Sequence, residues 1–97
     1  MADLRVTRND DEHRYEGDLD GALALIDFQR HDDADPALLV ITHTEVPDSM
    51  QGKGVGSHLV REALDDIRRR GERVRPDCPF VRSWIEEHPD YQDLIVP

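Results

Sequence analysis

The residues with the clearest capacity for chemistry are Gln51-Gly52-Lys53-Gly54-Val55-Gly56, in which glycine takes every second position immediately ahead of a helical pattern. Three glycines let the backbone turn tightly with its N–H groups unobstructed, and the start of a helix adds partial positive charge, so the run predicts an anion cradle. A phosphate-bearing ligand is its natural occupant. No Gly-Lys-Ser/Thr closes the loop as in a Walker A motif, and the Gly-x-Gly-x-x-Gly spacing of a dinucleotide site is missing.

The only cysteine, Cys78, stands directly before Pro79. Proline favours the first position of a helix, which makes Asp77 or Cys78 the expected N-cap. A thiol facing the free N–H groups of a helix start has its thiolate favoured, so Cys78 is a candidate acid or nucleophile. A lone cysteine also leaves the fold without an internal disulfide.

These groups need a frame. Residues Arg14 to Leu19, Ala22 to Arg30 and Ala37 to Val46 are rich in strand formers and separated by turn signals, which predicts an antiparallel meander with a further strand around Leu4 to Thr7. Ala22, Ala24, Ile26 and Phe28 alternate with Leu23, Leu25, Asp27 and Gln29, as expected of a sheet buried on one face. After Pro47 the period changes: Val55, Leu59, Val60, Ala63, Leu64 and Ile67 form one helical stripe, ended by Gly71 as a left-handed cap. A short strand at Arg73 to Pro76 would complete a strand, helix, strand crossover with parallel pairing. A second helix with Phe80, Val81, Trp84 and Ile85 on its apolar side should run to His88, before Pro89. The expected fold class is α/β (α+β): a mostly antiparallel mixed sheet of four to six strands, a long helix after the glycine loop and a second short helix, in one domain over residues 1–97.

No run approaches the roughly 18 to 20 apolar residues of a membrane span, and the start at Met1 lacks the pattern of a signal peptide. A soluble cytoplasmic protein is the expectation. The net charge of −10 opposes binding to a polyanion, although Arg68, Arg69, Arg70, Arg73 and Arg75 form a local basic segment that also suits a helix C-terminus. Acidic residues are spread along the chain and Lys53 is the only lysine, a surface suited to solubility or to a salt-rich cytoplasm. His13, His31 and His58 share no ligand spacing with one another or with Cys78, so no metal site is predicted.

The pattern Gln51-x-x-Gly54-x-Gly56 at the head of an amphipathic helix resembles the acetyl-coenzyme A signature of the GNAT superfamily of N-acetyltransferases. His43-Thr44-Glu45-Val46-Pro47, Cys78-Pro79-Phe80 and His88-Pro89-Asp90-Tyr91 extend the likeness to a subgroup of unusually short GNAT domains, over roughly Ala22 to Leu94. The resemblance implies acetyl-coenzyme A as co-substrate, contacted by Val46, Gln51, Gly52, Lys53, Gly54, Val55, Gly56 and Ser57, with the pyrophosphate on backbone donors from Gln51 to Gly56. It also implies a strand before the loop that splays to admit the pantetheine arm. Full-sized GNAT domains carry extra N-terminal helices around the acceptor pocket, for which this chain has no room. The acceptor site is then open, shared with a partner subunit, or built for a large substrate such as a protein.

Acetyl transfer to an amine needs a base for the amine proton and an acid for the leaving thiolate, or a nucleophile that carries the acetyl group. Glu45 lies in the region where many GNAT enzymes place a glutamate base, and His43 shares its strand parity. Tyr91 resembles a tyrosine of the subgroup whose phenol could protonate a thiolate. Catalytic candidates are therefore Cys78, Glu45, His43 and Tyr91, in a monomer or homodimer acting on a protein or small amine. A coenzyme A binding or sensing module without efficient turnover is the alternative, and an arginine-driven interaction domain a third reading.

Overall fold

The computed structural model describes residues 4–52 and 54–96; Lys53, one of the expected coenzyme contacts, falls outside them, as does the chain start read for a signal peptide. Five strands form one sheet in chain order, β1 (Arg5–Asn9), β2 (Arg14–Leu19), β3 (Ala22–His31), β4 (Leu38–Glu45) and β5 (Arg73–Pro76). The first four pair antiparallel and β5 joins β4 in parallel, because the helix α1 (Val55–Arg69) carries the chain back across the sheet. The α/β frame expected from the sequence is therefore the one observed, within a residue or two at most strand ends.

Helix α1 buries the six residues of its expected stripe, Val55, Leu59, Val60, Ala63, Leu64 and Ile67. They join Ala24, Ile26 and Phe28 of β3 and Leu39 and Ile41 of β4 in one hydrophobic cluster. Gly71 ends α1 with φ at 72°. Its N–H donates to the Arg68 carbonyl, and Glu72 N–H reaches the Ile67 carbonyl, both at 3.1 Å, which satisfies carbonyls that the helix end leaves free. The short helix α2 (Pro79–Glu86) adds Val81, Trp84 and Ile85 to the same cluster.

Helix α2 stops two residues short of the expected end at His88. Pro89 disfavours helical geometry at the residue before it, and His88 sits at φ −128°, ψ 80°, after which a 3₁₀ helix runs over Pro89–Leu94. The arginines of the basic segment are engaged within the fold: Arg70 with Asp66 at 2.8 Å, Arg68 with Asp93 at 2.6 Å and Arg75 with Asp77 at 3.0 Å. Arg73 reaches the Asp93 carbonyl.

These ion pairs make stability depend on pH in one direction. Asp66 is held below the ordinary carboxylate range although burial pushes it up, because the Tyr15 hydroxyl and Arg70 hydrogen-bond to its anion. Asp10, Glu16 and Asp77 are lowered chiefly by hydrogen bonds from Arg8, Arg14 and Arg75. A carboxylate depressed in the folded state contributes stability that is fully present above its unfolded pKa, about 4, and lost as pH falls through the folded value. Urea unfolding from pH 7 to 3 should therefore show a free energy insensitive to these groups above about pH 5 and falling below about pH 4. A rise on acidification would contradict this assignment.

Candidate functional site

The glycine loop follows a single 3₁₀ turn at Asp48–Met50 and opens directly into α1. Gly52 and Gly54 have φ of 80° and 74°, a region where L side chains are strained, and a Cβ on either would meet nothing within 4 Å. Both are needed by the turn and not by packing. Gly54 caps α1 without a side-chain hydrogen bond, and the first turn of the helix contains no acidic residue. In a chain of net charge −10, this helix start thus carries no acidic side chain of its own against its positive end.

Gly56 has a different reason. It lies inside α1, and a Cβ there would stand 2.9 Å from Phe80 Cζ. The ring of Phe80, 47 % exposed, rests where that side chain would be. The helical period puts Phe80 on the apolar side of α2, but its position against a glycine two elements away leaves no local signal.

Val46, Gln51, Gly52, Gly54, Val55, Gly56 and Ser57 line one open groove of about 470 Å³ together with Thr44, Met50 and Phe80. Seven of the eight expected contacts thus converge, the eighth being Lys53. The Gln51 N–H donates to the Asp48 carbonyl at 3.2 Å, closing the 3₁₀ turn, while its side-chain amide donates to the Val46 carbonyl at 3.2 Å. Gln51 braces the loop against the end of β4. A larger groove of about 660 Å³ near Arg75 and Arg82 contains none of the expected residues. Its arginines are occupied, Arg75 by Asp77 and Arg82 by the Pro76 and Asp77 carbonyls.

Strand β4 changes face along its length. Phe28 pairs with Ile41 but Asp27 pairs with His43, so a bulge at Thr42 shifts the register by one residue. Beyond it His43 and Glu45 lie opposite Asp27 and Leu25, on the sheet face away from the helices, and both are exposed. Thr44 lies opposite buried Ile26 and turns toward the groove. The shared parity of His43 and Glu45 holds; the side of the sheet they occupy is set by the bulge.

The β4–β5 pairing stops at Ile41 and Pro76, where the Ile41 carbonyl accepts both Asp77 N–H and Cys78 N–H, at 3.0 and 2.9 Å. The chain then turns into α2. Among the described residues, Thr42 to Glu45 therefore have a strand neighbour only on the β3 side. Cys78 occupies the N-cap of α2, as expected, and is 5 % exposed, with its sulfur 3.5 Å from Thr44 Oγ1. Burial pushes the thiol pKa up, but the Thr44 hydroxyl and the nearby amides of Val81 and Phe80 outweigh it, so the net shift is downward. The sulfur makes no capping hydrogen bond, so these amides act on it as oriented dipoles.

Tyr91 lies elsewhere. It is 6 % exposed in the 3₁₀ helix, its hydroxyl donates to Asp65 on α1 at 2.8 Å, and its ring packs edge-on to Trp84. Burial and the Asp65 carboxylate both raise the phenol pKa. The structure thus joins Cys78 to the groove through Thr44, puts His43 and Glu45 on the opposite face of β4, and seats Tyr91 in the seam beside α1. Among the described residues no group of three His, Cys, Asp or Glu side chains is placed to hold a metal ion, and no helix is long and apolar enough to cross a membrane.

A five-stranded mixed sheet whose fourth strand leads through a glycine loop into the central helix is the frame of a GNAT acetyltransferase. Residues 14–94 match the family described as GCN5-related N-acetyl-transferase, and the chain belongs to that family. It is similar to Protein NATD1 of Bos taurus, with 32 % identity over 59 residues covering 59 % of this chain and 52 % of that one. Protein NATD1 of Homo sapiens is 30 % identical over 59 residues, again 59 % of this chain and 52 % of the relative. The chain spans about half the length of these curated relatives. The NMR solution structure of a GCN5-like protein from Staphylococcus aureus superposes with a TM-score of 0.70 at 26 % identity, over 99 % of this chain and 91 % of that one. Acetyl transfer is the general activity of the family, and acetyl-coenzyme A its general co-substrate.

Proposed function

We propose that this protein transfers an acetyl group from acetyl-coenzyme A to an amine, with the coenzyme pyrophosphate on the backbone N–H groups from Gly52 to Gly56. The observation that carries this reading is the start of α1, capped by Gly54 without a side-chain hydrogen bond and with no acidic residue in its first turn, opening on a groove that continues to Thr44 beside the Cys78 thiol. An anion at that helix start is stabilised by both the free N–H groups and the dipole. Val46 and Phe80 offer apolar walls for the arm that joins pyrophosphate to thioester.

The edge of β4 beyond Ile41 supplies the route by which a thioester in the groove meets an acceptor on the other face. There the amine nitrogen attacks the acetyl carbonyl, Glu45 takes the nitrogen's proton, and the carbon–sulfur bond breaks. Cys78 then gives its proton to the departing coenzyme thiolate. His43, beside Glu45 and opposite Asp27, contacts the amine. The carboxylates of Asp27 and Glu45 on this face suit a cationic acceptor, either a small amine or a lysine of a protein. Tyr91, with its proton committed to Asp65, positions the helices.

A second route is favoured by the lowered thiol pKa: Cys78 as thiolate attacks the thioester, carries the acetyl group, and passes it to the amine. Mass spectrometry separates the two. A carrier gains one acetyl mass on incubation with acetyl-coenzyme A, removable by hydroxylamine, whereas an acid accumulates no adduct. In either case Cys78→Ala should slow transfer by about 100-fold or more while leaving coenzyme affinity within about twofold, because the thiol acts at the transition state. An unaltered rate would assign Cys78 to packing and move the chemistry to Glu45 and His43.

A further inference from the structure

The Cys78 thiol and the groove that receives a thioester do not meet directly. Thr44, Val46 and Phe80 stand on the groove wall, whereas Cys78, 5 % exposed, is not among the described residues that line it. Its sulfur lies 3.5 Å from Thr44 Oγ1. One residue, Thr44, therefore touches both the buried thiol and the groove.

This contact is the product of two irregularities. The bulge at Thr42 turns Thr44 to the helix side of β4, and the parting of β4 from β5 after Ile41 opens the fork in which Cys78 sits. Among the described residues the thiol is the sole hydrogen-bond partner of the Thr44 hydroxyl. A hydroxyl donates one proton and accepts through two lone pairs, so Oγ1 can take a proton from the thiol on one side while giving its own on the other. The thiolate left behind meets the amides of Val81, Phe80 and Thr44, which favour the anion. The other candidate acids are placed elsewhere: His43 and Glu45 on the opposite face of β4, Tyr91 with its proton on Asp65.

We propose that Thr44 is a catalytic residue of the transfer: its hydroxyl protonates the departing coenzyme sulfur and is itself reprotonated by Cys78. The proposal rests on the reading of Cys78 as the acid, and it selects that route over the acetyl carrier. A thiol set back from the groove can pass a proton through a hydroxyl but cannot attack a carbonyl carbon through one. As the carbon–sulfur bond breaks, its electron pair stays on the coenzyme sulfur, which takes the Oγ1 proton while Oγ1 takes the Sγ proton. The two transfers are concerted, since a free alkoxide is a far stronger base than either thiolate. Coenzyme thiol and Cys78 thiolate result; the amine proton held by Glu45 leaves to solvent, and water returns one to Cys78 through the same hydroxyl.

Transfer from acetyl-coenzyme A to a panel of primary amines and lysine peptides tests it in variants checked for an unchanged thermal melt. Thr44→Val, which keeps the side-chain shape, should slow transfer by about 100-fold, as loss of a general acid does, and Thr44→Ser should recover most of the rate. Acetyl-coenzyme A affinity, measured by calorimetry, should stay within about twofold in each. Thr44→Val combined with Cys78→Ala should be slower than either alone by no more than about threefold, because both break one relay. In the wild type kcat should fall as pH rises through the thiol pKa, followed by alkylation of this only cysteine, and Thr44→Val should lose that limb. A wild-type rate in Thr44→Val beside a slow Cys78→Ala, or losses that multiply in the double variant, would overturn the relay and leave Cys78 as a direct acid. An acetyl adduct on Cys78 would overturn it in favour of the carrier. A wild type that transfers to no member of the panel would overturn the relay and the transferase reading together.

Discussion

Gly54→Val is expected to weaken acetyl-coenzyme A binding by at least about 100-fold, the equivalent of about 2.7 kcal/mol. Gly54 sits at φ 74° and ψ 12°, in the left-handed region, as the cap of α1. An L residue there costs about 1–2 kcal/mol, and β-branching makes it worse, so valine drives the backbone out of the turn. The N–H groups of the loop and first helical turn then lose the common direction on which anion binding depends. A Cβ at this position meets no protein atom within 4 Å, so the expected loss comes from backbone conformation and ligand approach, not from a core clash. Gly54→Asn provides the control, since asparagine tolerates left-handed geometry and should keep far more of the affinity. Titration of folded Gly54→Val with wild-type affinity would sink the placement of the pyrophosphate.

The second large effect concerns the fold. Arg8 on β1 and Glu72, just past the end of α1, form a two-pronged ion pair at 2.6 and 3.1 Å, with side chains only 2 % and 6 % exposed. Arg8 also lies over the Phe28 ring at 5.2 Å and donates to the Tyr15 hydroxyl at 3.3 Å. Arg8→Met leaves a buried carboxylate whose remaining cation, Arg30, is 3.6 Å away. Removal of one partner from such a pair typically costs about 3–5 kcal/mol, a large share of the roughly 5–15 kcal/mol that holds a small domain together. Arg8→Met combined with Glu72→Leu should recover much of that loss, because no charge is then stranded. Urea unfolding measures both; a loss below about 1 kcal/mol in Arg8→Met would show the pair to be incidental.

Much of this architecture was legible because its causes are local. The apolar spacing from Val55 to Ile67 can be buried only on one side of a helix, and Gly71 ends that helix because the left-handed cap excludes most other residues. Pro79 likewise marks the start of α2 with Cys78 at its cap. Illegible features depend on residues distant in sequence. Trp84 reads locally as packing, yet its indole N–H holds Ser57 across 27 positions. Arg8 and Glu72 are 64 positions apart, and neither carries a sign of burial in its own segment.

By itself, the sequence determined the order of strands and helices, the glycine turn and the helix that follows it, since each rests on φ preference or on the period of side chains along one element. Tertiary structure alone decided which side of β4 each candidate occupies. A period of two predicts that His43 and Glu45 share a face, but the bulge between Ile41 and His43 reverses which face that is and presents Thr44 to Cys78 instead. One inserted residue is enough, because successive side chains on a strand point to opposite sides, and only pairing with β3 reveals where the count slips.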